Sequence, residues 1–139
     1  MFAYFVNAQN KIEVKQKASM NCARSSFGCT TNAVRGEIYV AGGYSNAMIT
    51  KNCEVYSIAE DRWKRLPQLN EEKLSATLCC LNNRYLYCFG GITKKETGNV
   101  VLNSIEMLDL SAAQPKWTML AFKLPYQCCD AGAVAISPT

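Results

Sequence analysis

Histidine is absent from this sequence of 139 residues, and long apolar runs and dense charge are absent as well. Without histidine the chain lacks the commonest general base and the commonest protein ligand for zinc. No stretch approaches the roughly 18 apolar residues of a membrane-spanning helix. Charged residues make up 19% of the chain and the lysines are scattered, whereas nucleic-acid binding favours a concentrated basic face. We therefore predict no nucleic-acid partner, no membrane partner and no cofactor.

The sequence also gives little indication of secretion. The sequence contains eight cysteines, but it has no C-x-x-C pair and no N-x-S/T glycosylation sequon. The cysteines lie inside apolar runs, where a reduced thiol behaves as a small hydrophobic side chain. The first residues, MFAYFVNAQ, lack the positive leader and the cleavage pattern of a signal peptide. We predict a cytoplasmic protein with reduced thiols.

What the sequence does contain is a repeat. An apolar strand ending in two glycines occurs as IYVAGG at 38–43 and again as LYCFGG at 86–91. Each is preceded by a turn, and before each turn lies another apolar run, at 25–34 and at 74–81. Each copy therefore begins with a predicted β-hairpin. Aligning the glycine pairs places two small residues at equivalent positions in the first strands, Gly28 and Ala76.

The second half of each copy is also repeated. An alternating strand, a polar turn and a short strand with a tryptophan follow the glycines, at 52–69 and 103–120. Each copy thus predicts four strands. Residues 5–20 match such a second half, with Phe5 at the tyrosine position and Val14 at the tryptophan position. The predicted units are 1–20 (the end of one copy), 21–69, 70–124, and 125–139 (the first strand of a further copy).

The repeat resembles the kelch motif, a four-stranded unit of about fifty residues with a glycine pair after its second strand. One copy has Gly42, Gly43, Tyr56 and Trp63 in this order, and the next has Gly90, Gly91 and Trp117. The resemblance implies an all-β fold of kelch-type β-propeller blades. In such blades 25–34 and 74–81 would be inner strands, and 11–17 and 62–66 outer strands. Propellers close with about four to eight blades, so we expect an incomplete propeller segment that belongs to a longer polypeptide or is completed by other chains.

The resemblance also implies where a partner binds. Kelch domains present ligand-contacting loops on one rim, and here these are the connections after the glycine pairs, 44–52 and 92–103, and the connections that lead into the first strands. Met48 is apolar in a polar loop, so it either contacts a partner or packs back onto the sheet, and Arg24 could equally be structural. The candidate partner-binding residues are Arg24, Ser26, Tyr44, Asn46, Met48, Lys73, Lys94, Lys95 and Tyr126.

Two functions from different classes follow from the resemblance. The first is a non-catalytic protein-interaction module that recognises a protein or peptide, either as the substrate-recognition part of a ubiquitin-ligase adaptor or as a cytoskeletal scaffold. The alternative is part of a propeller enzyme, similar to galactose oxidase, whose active site would lie in blades outside this sequence. Some kelch adaptors sense electrophiles through cysteine, and Cys22, before Arg24, is the candidate for that role.

Overall fold

The computed structural model describes residues 1–136. Its regular structure consists of β-strands, and the described part contains no helix that is long and apolar enough to cross a membrane. In chain order the strands are β1 (Phe2–Val6), β2 (Ile12–Gln16), β3 (Gly28–Asn32), β4 (Glu37–Ala41), β5 (Tyr44–Ser45), β6 (Met48–Ile49), β7 (Cys53–Ser57), β8 (Arg62–Leu66), β9 (Thr77–Leu81), β10 (Tyr85–Phe89), β11 (Ile92–Lys95), β12 (Gly98–Val101), β13 (Ile105–Asp109) and β14 (Trp117–Met119).

Two four-stranded antiparallel sheets dominate the fold. Sheet 1 has the order β3-β4-β7-β8, and sheet 2 has the matching order β9-β10-β13-β14. Every neighbouring pair of strands in these sheets is antiparallel. Each sheet takes its four strands in chain order, and a separate small hairpin lies between its second and third strands in the sequence. The first strands, β3 and β9, lie side by side. The predicted all-β class and the four strands of each copy are confirmed.

The first hairpins of the two sheets differ in turn length. Asn32 pairs with Glu37 across four residues, whereas Leu81 pairs with Tyr85 across three. This difference shifts the first strands by one residue relative to each other. Thr77, which pairs with Phe89, is therefore the counterpart of Gly28, and the predicted equivalence of Gly28 with Ala76 is wrong by one position.

The main core lies between the two sheets. Tyr39 and Ala41 of sheet 1 belong to the same buried cluster as Leu86, Cys88 and Leu108 of sheet 2. The last three side chains are completely inaccessible to solvent. Because one sheet buries the face of the next, each sheet depends on its neighbour for a large share of its hydrophobic stabilisation.

The aromatic residues of the motif tie each sheet to the connection that precedes it. Trp63 Nε1 donates a hydrogen bond of 3.0 Å to the Ala18 carbonyl, and Trp117 Nε1 donates one of 3.0 Å to the Pro67 carbonyl. The ring of Tyr56 lies 5.2 Å from that of Trp63, centroid to centroid. The tryptophans therefore combine apolar burial with one satisfied polar group.

The glycine pairs lie where the next connection crosses the sheet. A Cβ on Gly42 would be 2.2 Å from the Lys73 carbonyl oxygen, and one on Gly90 would be 2.2 Å from the Cys128 carbonyl oxygen. Both glycines also have positive φ, 66° and 57°. Only a residue without a side chain fits this combination of close approach and left-handed backbone.

The amino-terminal half copy is a two-stranded hairpin formed by β1 and β2. Val14 pairs with Tyr4, and Phe5 pairs with Glu13. In sheet 1 the tyrosine and tryptophan of the motif are also directly paired, Tyr56 with Trp63. Tyr4 therefore takes the tyrosine position when Val14 takes the tryptophan position, and the prediction of Phe5 there is wrong by one residue.

The carboxyl-terminal segment differs from its prediction. Residues 125–136 form no strand, and 137–139 lie outside the described residues. In the two complete sheets the first strand is bonded to the second strand of the same sheet, and residues 130–136 have no such neighbour in the described chain. The connection that leads into this segment nevertheless repeats the contact made by the connection before β9. Gly91 N donates to Cys128 O at 2.8 Å, as Gly43 N donates to Lys73 O at 2.7 Å.

Candidate partner-binding edge

Two small β-hairpins occupy the connections after the glycine pairs. The first is formed by β5 and β6 and the second by β11 and β12. The sequence predicted loops here, but the chain folds back on itself, with Asn46 and Ala47 at positive φ in the first turn. Bridges join Tyr44 to Ser25 and Ile92 to Leu74, so each hairpin is fixed to the connection that leads into a first strand. We call these hairpins and connections the hairpin edge.

Most of the predicted contact residues are exposed on this edge. Tyr44 and Met48 have 45% and 68% of their surface exposed, and Tyr126 has 81%. Asn46, Ser26, Lys94 and Lys95 are also exposed. Met48 therefore points to solvent instead of packing back, whereas its neighbour Ile49 is half-buried opposite Tyr44. The exposed residues remain candidates for partner contact.

Burial corrects the expectation for two residues, Arg24 and Lys73. The Arg24 side chain has no exposed surface and donates to the Gly42 and Asn52 carbonyls at 3.0 and 2.6 Å. Lys73 is likewise inaccessible and donates to the Gly90 carbonyl at 3.1 Å. Both cations donate to backbone carbonyls of residues that flank the hairpins, and each faces a buried carboxylate. In this structure neither charge reaches the surface that a partner would touch.

The sequence reasoning missed those carboxylates, Glu54 and Glu106. Glu54 pairs with Arg24 at 2.6 Å and accepts hydrogen bonds from the backbone and side-chain amides of Asn21 at 2.9 and 2.8 Å. Glu106 accepts the same two bonds from Asn70, at 2.7 and 2.8 Å. A signal was present, because a glutamate recurs between two apolar residues at the second position of the third strand in both copies. An acid in that setting indicates a buried, paired charge.

A backbone ladder also links successive connections. Ser75 N donates to Ser26 O at 2.8 Å, and Asp130 N donates to Ser75 O at 3.0 Å. All three residues have positive φ, between 50° and 53°. The ladder keeps the connections in register with one another, and it fixes Ser26 on the hairpin edge through its backbone.

The cysteines are the other candidate reactive groups of the chain. All eight cysteines are free, and none forms a disulfide bond within the described residues. In residues 1–136, no group of three or more His, Cys, Asp or Glu side chains is arranged to hold a metal ion. Cys22, the candidate reactive thiol, is half-buried, and its Sγ lies 3.0 Å from Ser45 Oγ.

We expect Cys53 and Cys88 to resist alkylation in the native protein. They are 2% and 0% exposed, and burial raises the pKa of Cys53 to about 12 and raises that of Cys88 as well. Iodoacetamide reacts with an accessible thiolate, so mass spectrometry at neutral pH should find both residues unmodified. The same reagent should modify both in guanidinium chloride. Labelling of either residue in native buffer as fast as in denaturant would contradict the packing of the two sheets.

Comparison with known proteins gives the same assignment as the geometry. Residues 26–70 match the Kelch motif. Kelch-like protein 40 of Mus musculus is 34% identical over 119 residues, which is 84% of this chain and 19% of the relative. The Homo sapiens Kelch-like protein 40 is 33% identical over 81% of this chain and 18% of its own length. Kelch repeat and BTB domain-containing protein 2 of Cowpox virus (strain GRI-90 / Grishak) is 31% identical over 75% of this chain and 18% of its own length.

These features define a class: repeat proteins built from four-stranded sheets with a glycine pair after the second strand. The chain belongs to the kelch-repeat family. It spans about a fifth of the length of the curated relatives it matches.

Proposed function

We propose that this chain is part of a non-catalytic protein-interaction module that binds a protein or peptide through the hairpin edge. The observation that carries the proposal is the pair of hairpins, which stand at the same place on successive sheets and expose Tyr44, Met48, Lys94 and Lys95. A rigid sheet with exposed connections at fixed positions is a common arrangement for binding sites. Exposed aromatic and methionine side chains are enriched at protein interfaces, and the lysines would suit the polar rim of such an interface.

Adaptor and scaffold roles both belong to the proposal. The name of the viral relative includes a BTB domain, and a domain of that kind elsewhere in the polypeptide would favour a ubiquitin-ligase adaptor over a cytoskeletal scaffold. We also propose a cytoplasmic location, which eight cysteines without a disulfide bond support. None of the described contacts favours the alternative, a propeller enzyme with its active site in other blades.

The outward faces of the two sheets also need a partner. On one side the half-buried Phe27 and Ile38 line an apolar cavity together with the buried Val40, and on the other the half-buried Tyr87 and Phe89 of sheet 2 line one together with Phe122 and residues 134–136. We propose that further blades, from the same polypeptide or from other chains, cover these faces as sheet 2 covers sheet 1. The unit boundaries at residues 20, 69 and 124 stay predictions within this proposal.

The test compares two matched double variants in the natural full-length protein. Met48→Ser with Lys94→Glu alters the hairpin edge, and Val34→Ser with Arg35→Glu makes the same kinds of change at the exposed turn between β3 and β4. A partner identified by cross-linking is purified, and its affinity is measured. We expect the hairpin variant to bind at least about tenfold more weakly, a loss of about 1.4 kcal/mol. Unchanged binding by that variant, together with weaker binding by the turn variant, would contradict the proposal.

A further inference from the structure

Sheets 1 and 2 hold equivalent buried ion pairs, Arg24 with Glu54 and Lys73 with Glu106, and they differ in charge at one position beside these pairs. Cys22 N donates to Glu54 Oε1 at 3.2 Å, and Glu71 N donates to Glu106 Oε1 at 3.2 Å. Cys22 and Glu71 are therefore structural equivalents. One copy places a short thiol at a position where the other places a carboxylate.

In sheet 2 that carboxylate is bound within the chain. Glu71 Oε2 accepts a hydrogen bond of 2.6 Å from Ser104 Oγ and lies 3.5 Å from Lys73 Nζ. The Glu71 side chain is 35% exposed, so the carboxylate occupies a shallow position above the buried pair. Sheet 2 therefore has a carboxylate-binding position that is filled by its own sequence.

In sheet 1 the corresponding position is open. A crevice of about 390 Å³ lies between the Cys22 connection, the first hairpin and the ends of β7 and β8. Asn52, the counterpart of Ser104, lines it, since Gly42 N donates to Asn52 O as Gly90 N donates to Ser104 O. The Asn52 Oδ1 atom accepts a 2.7 Å hydrogen bond from Gln68 Nε2. This bond leaves the Asn52 amide hydrogens for an incoming acceptor.

The charges around the crevice favour an anion. Arg24 and Glu54 cancel each other at its base. Arg65 lines the crevice, is exposed, and makes no ion pair within the described part of the chain. The adjoining cavity, which shares Cys22, Asn46, Asn52 and Gln68, adds Lys51 and Glu72, one charge of each sign. The excess positive charge is that of Arg65, whose planar fork suits a carboxylate.

We propose that the crevice of sheet 1 binds a carboxylate supplied by a partner, namely an aspartate or glutamate side chain. The crevice opens beside β7 and β8, the third and fourth strands of sheet 1, next to the hairpin edge. The proposal deepens the proposed function and rests on it for its biological role. The chemistry of the crevice itself is testable without the partner.

The experiment uses nuclear magnetic resonance titration of the isotope-labelled chain with two capped tripeptides, acetyl-Gly-Glu-Gly-amide and acetyl-Gly-Gln-Gly-amide. We expect the glutamyl peptide to shift the side-chain amide signals of Asn52 and Gln68 and to bind about fivefold more tightly than the glutaminyl peptide, as for an exposed ion pair with added hydrogen bonds. Arg65→Met, which copies Met119 of sheet 2, should remove most of this difference. Equal binding of the two peptides would overturn the proposal.

A second, matched pair of variants tests the same site from within the chain. Cys22→Glu introduces the residue that sheet 2 has at this position, and Cys22→Gln is its uncharged control. We expect Cys22→Glu to fill the crevice, abolish the response to the glutamyl peptide, and have a higher thermal midpoint than Cys22→Gln. Equal midpoints and an undiminished peptide response would overturn the proposal. The affinity of the hairpin variant for the protein partner is measured separately. Failure of the carboxylate-binding proposal can therefore be distinguished from failure of the proposed function.

Discussion

Replacing Glu106 with alanine is expected to lower the free energy of unfolding by about 3–5 kcal/mol, the range for breaking a buried ion pair by removing one partner. Glu106 is completely buried and accepts hydrogen bonds from Asn70 N, Asn70 Nδ2 and Glu71 N. Its Oε1 atom lies 3.9 Å from the equally buried Lys73 Nζ. The alanine variant leaves three donors and one cation without that acceptor. Urea unfolding followed by circular dichroism measures the loss.

The controls separate the network from general effects of losing a carboxylate. Glu60→Ala removes an acid whose side chain is 48% exposed and whose ion pairs are with surface residues, so we expect a change within about 0.5 kcal/mol. Lys73→Met combined with Glu106→Leu removes both completely buried charges, and it should be more stable than Glu106→Ala alone because only the partly exposed Glu71 then loses a cation. A Glu106→Ala variant as stable as Glu60→Ala would show that the network contributes little.

This network also shows where sequence reasoning succeeded and where it failed. The glycine pairs and tryptophans identified the four-stranded sheets, because each motif residue has a local requirement that sequence alone displays: positive φ, or a large ring in an apolar strand. The sequence placed Lys73 among the partner-binding residues and left both roles open for Arg24, because the position of a long cationic side chain depends on whether a carboxylate lies beneath it. Glu54 and Glu106 come from strands that begin 29 and 32 residues later in the chain, so this pairing becomes visible only when the sheets are folded.

The errors in strand register and the failure to predict the two small hairpins had a different cause. Phe5 and Ala76 were assigned one position away from their structural counterparts, because the alignment used fixed spacings along the chain and a turn of different length shifts every residue beyond it. The hairpins after the glycine pairs were missed because their strands are two to four residues long. Strands of this length are held by their attachment to Ser25 and Leu74, and their own composition gives little periodicity to read.

The second large effect is expected for Gly42→Ala, which should lower the free energy of unfolding by about 3 kcal/mol or more. Two costs combine at this position. A left-handed backbone costs an alanine about 1–2 kcal/mol, and φ of Gly42 is 66°. The new Cβ would also lie 2.2 Å from the Lys73 carbonyl oxygen, so the connection into sheet 2 would have to move. That movement would displace the Lys73 side chain from the Gly90 carbonyl and from Glu106.

Gly36→Ala provides the matched control, because it has the first cost without the second. Its φ is 62°, nearly the same as that of Gly42, and no atom lies within 4 Å of the position its Cβ would take. We expect Gly36→Ala to lose only about 1–2 kcal/mol, measured by urea unfolding beside Gly42→Ala. Because backbone conformation is held nearly constant, the difference between the two variants isolates the contact between the glycine and the next connection. Equal losses would show that the glycine pair is needed only for its backbone angles, and the close approach of successive repeats would then have no measurable energetic role.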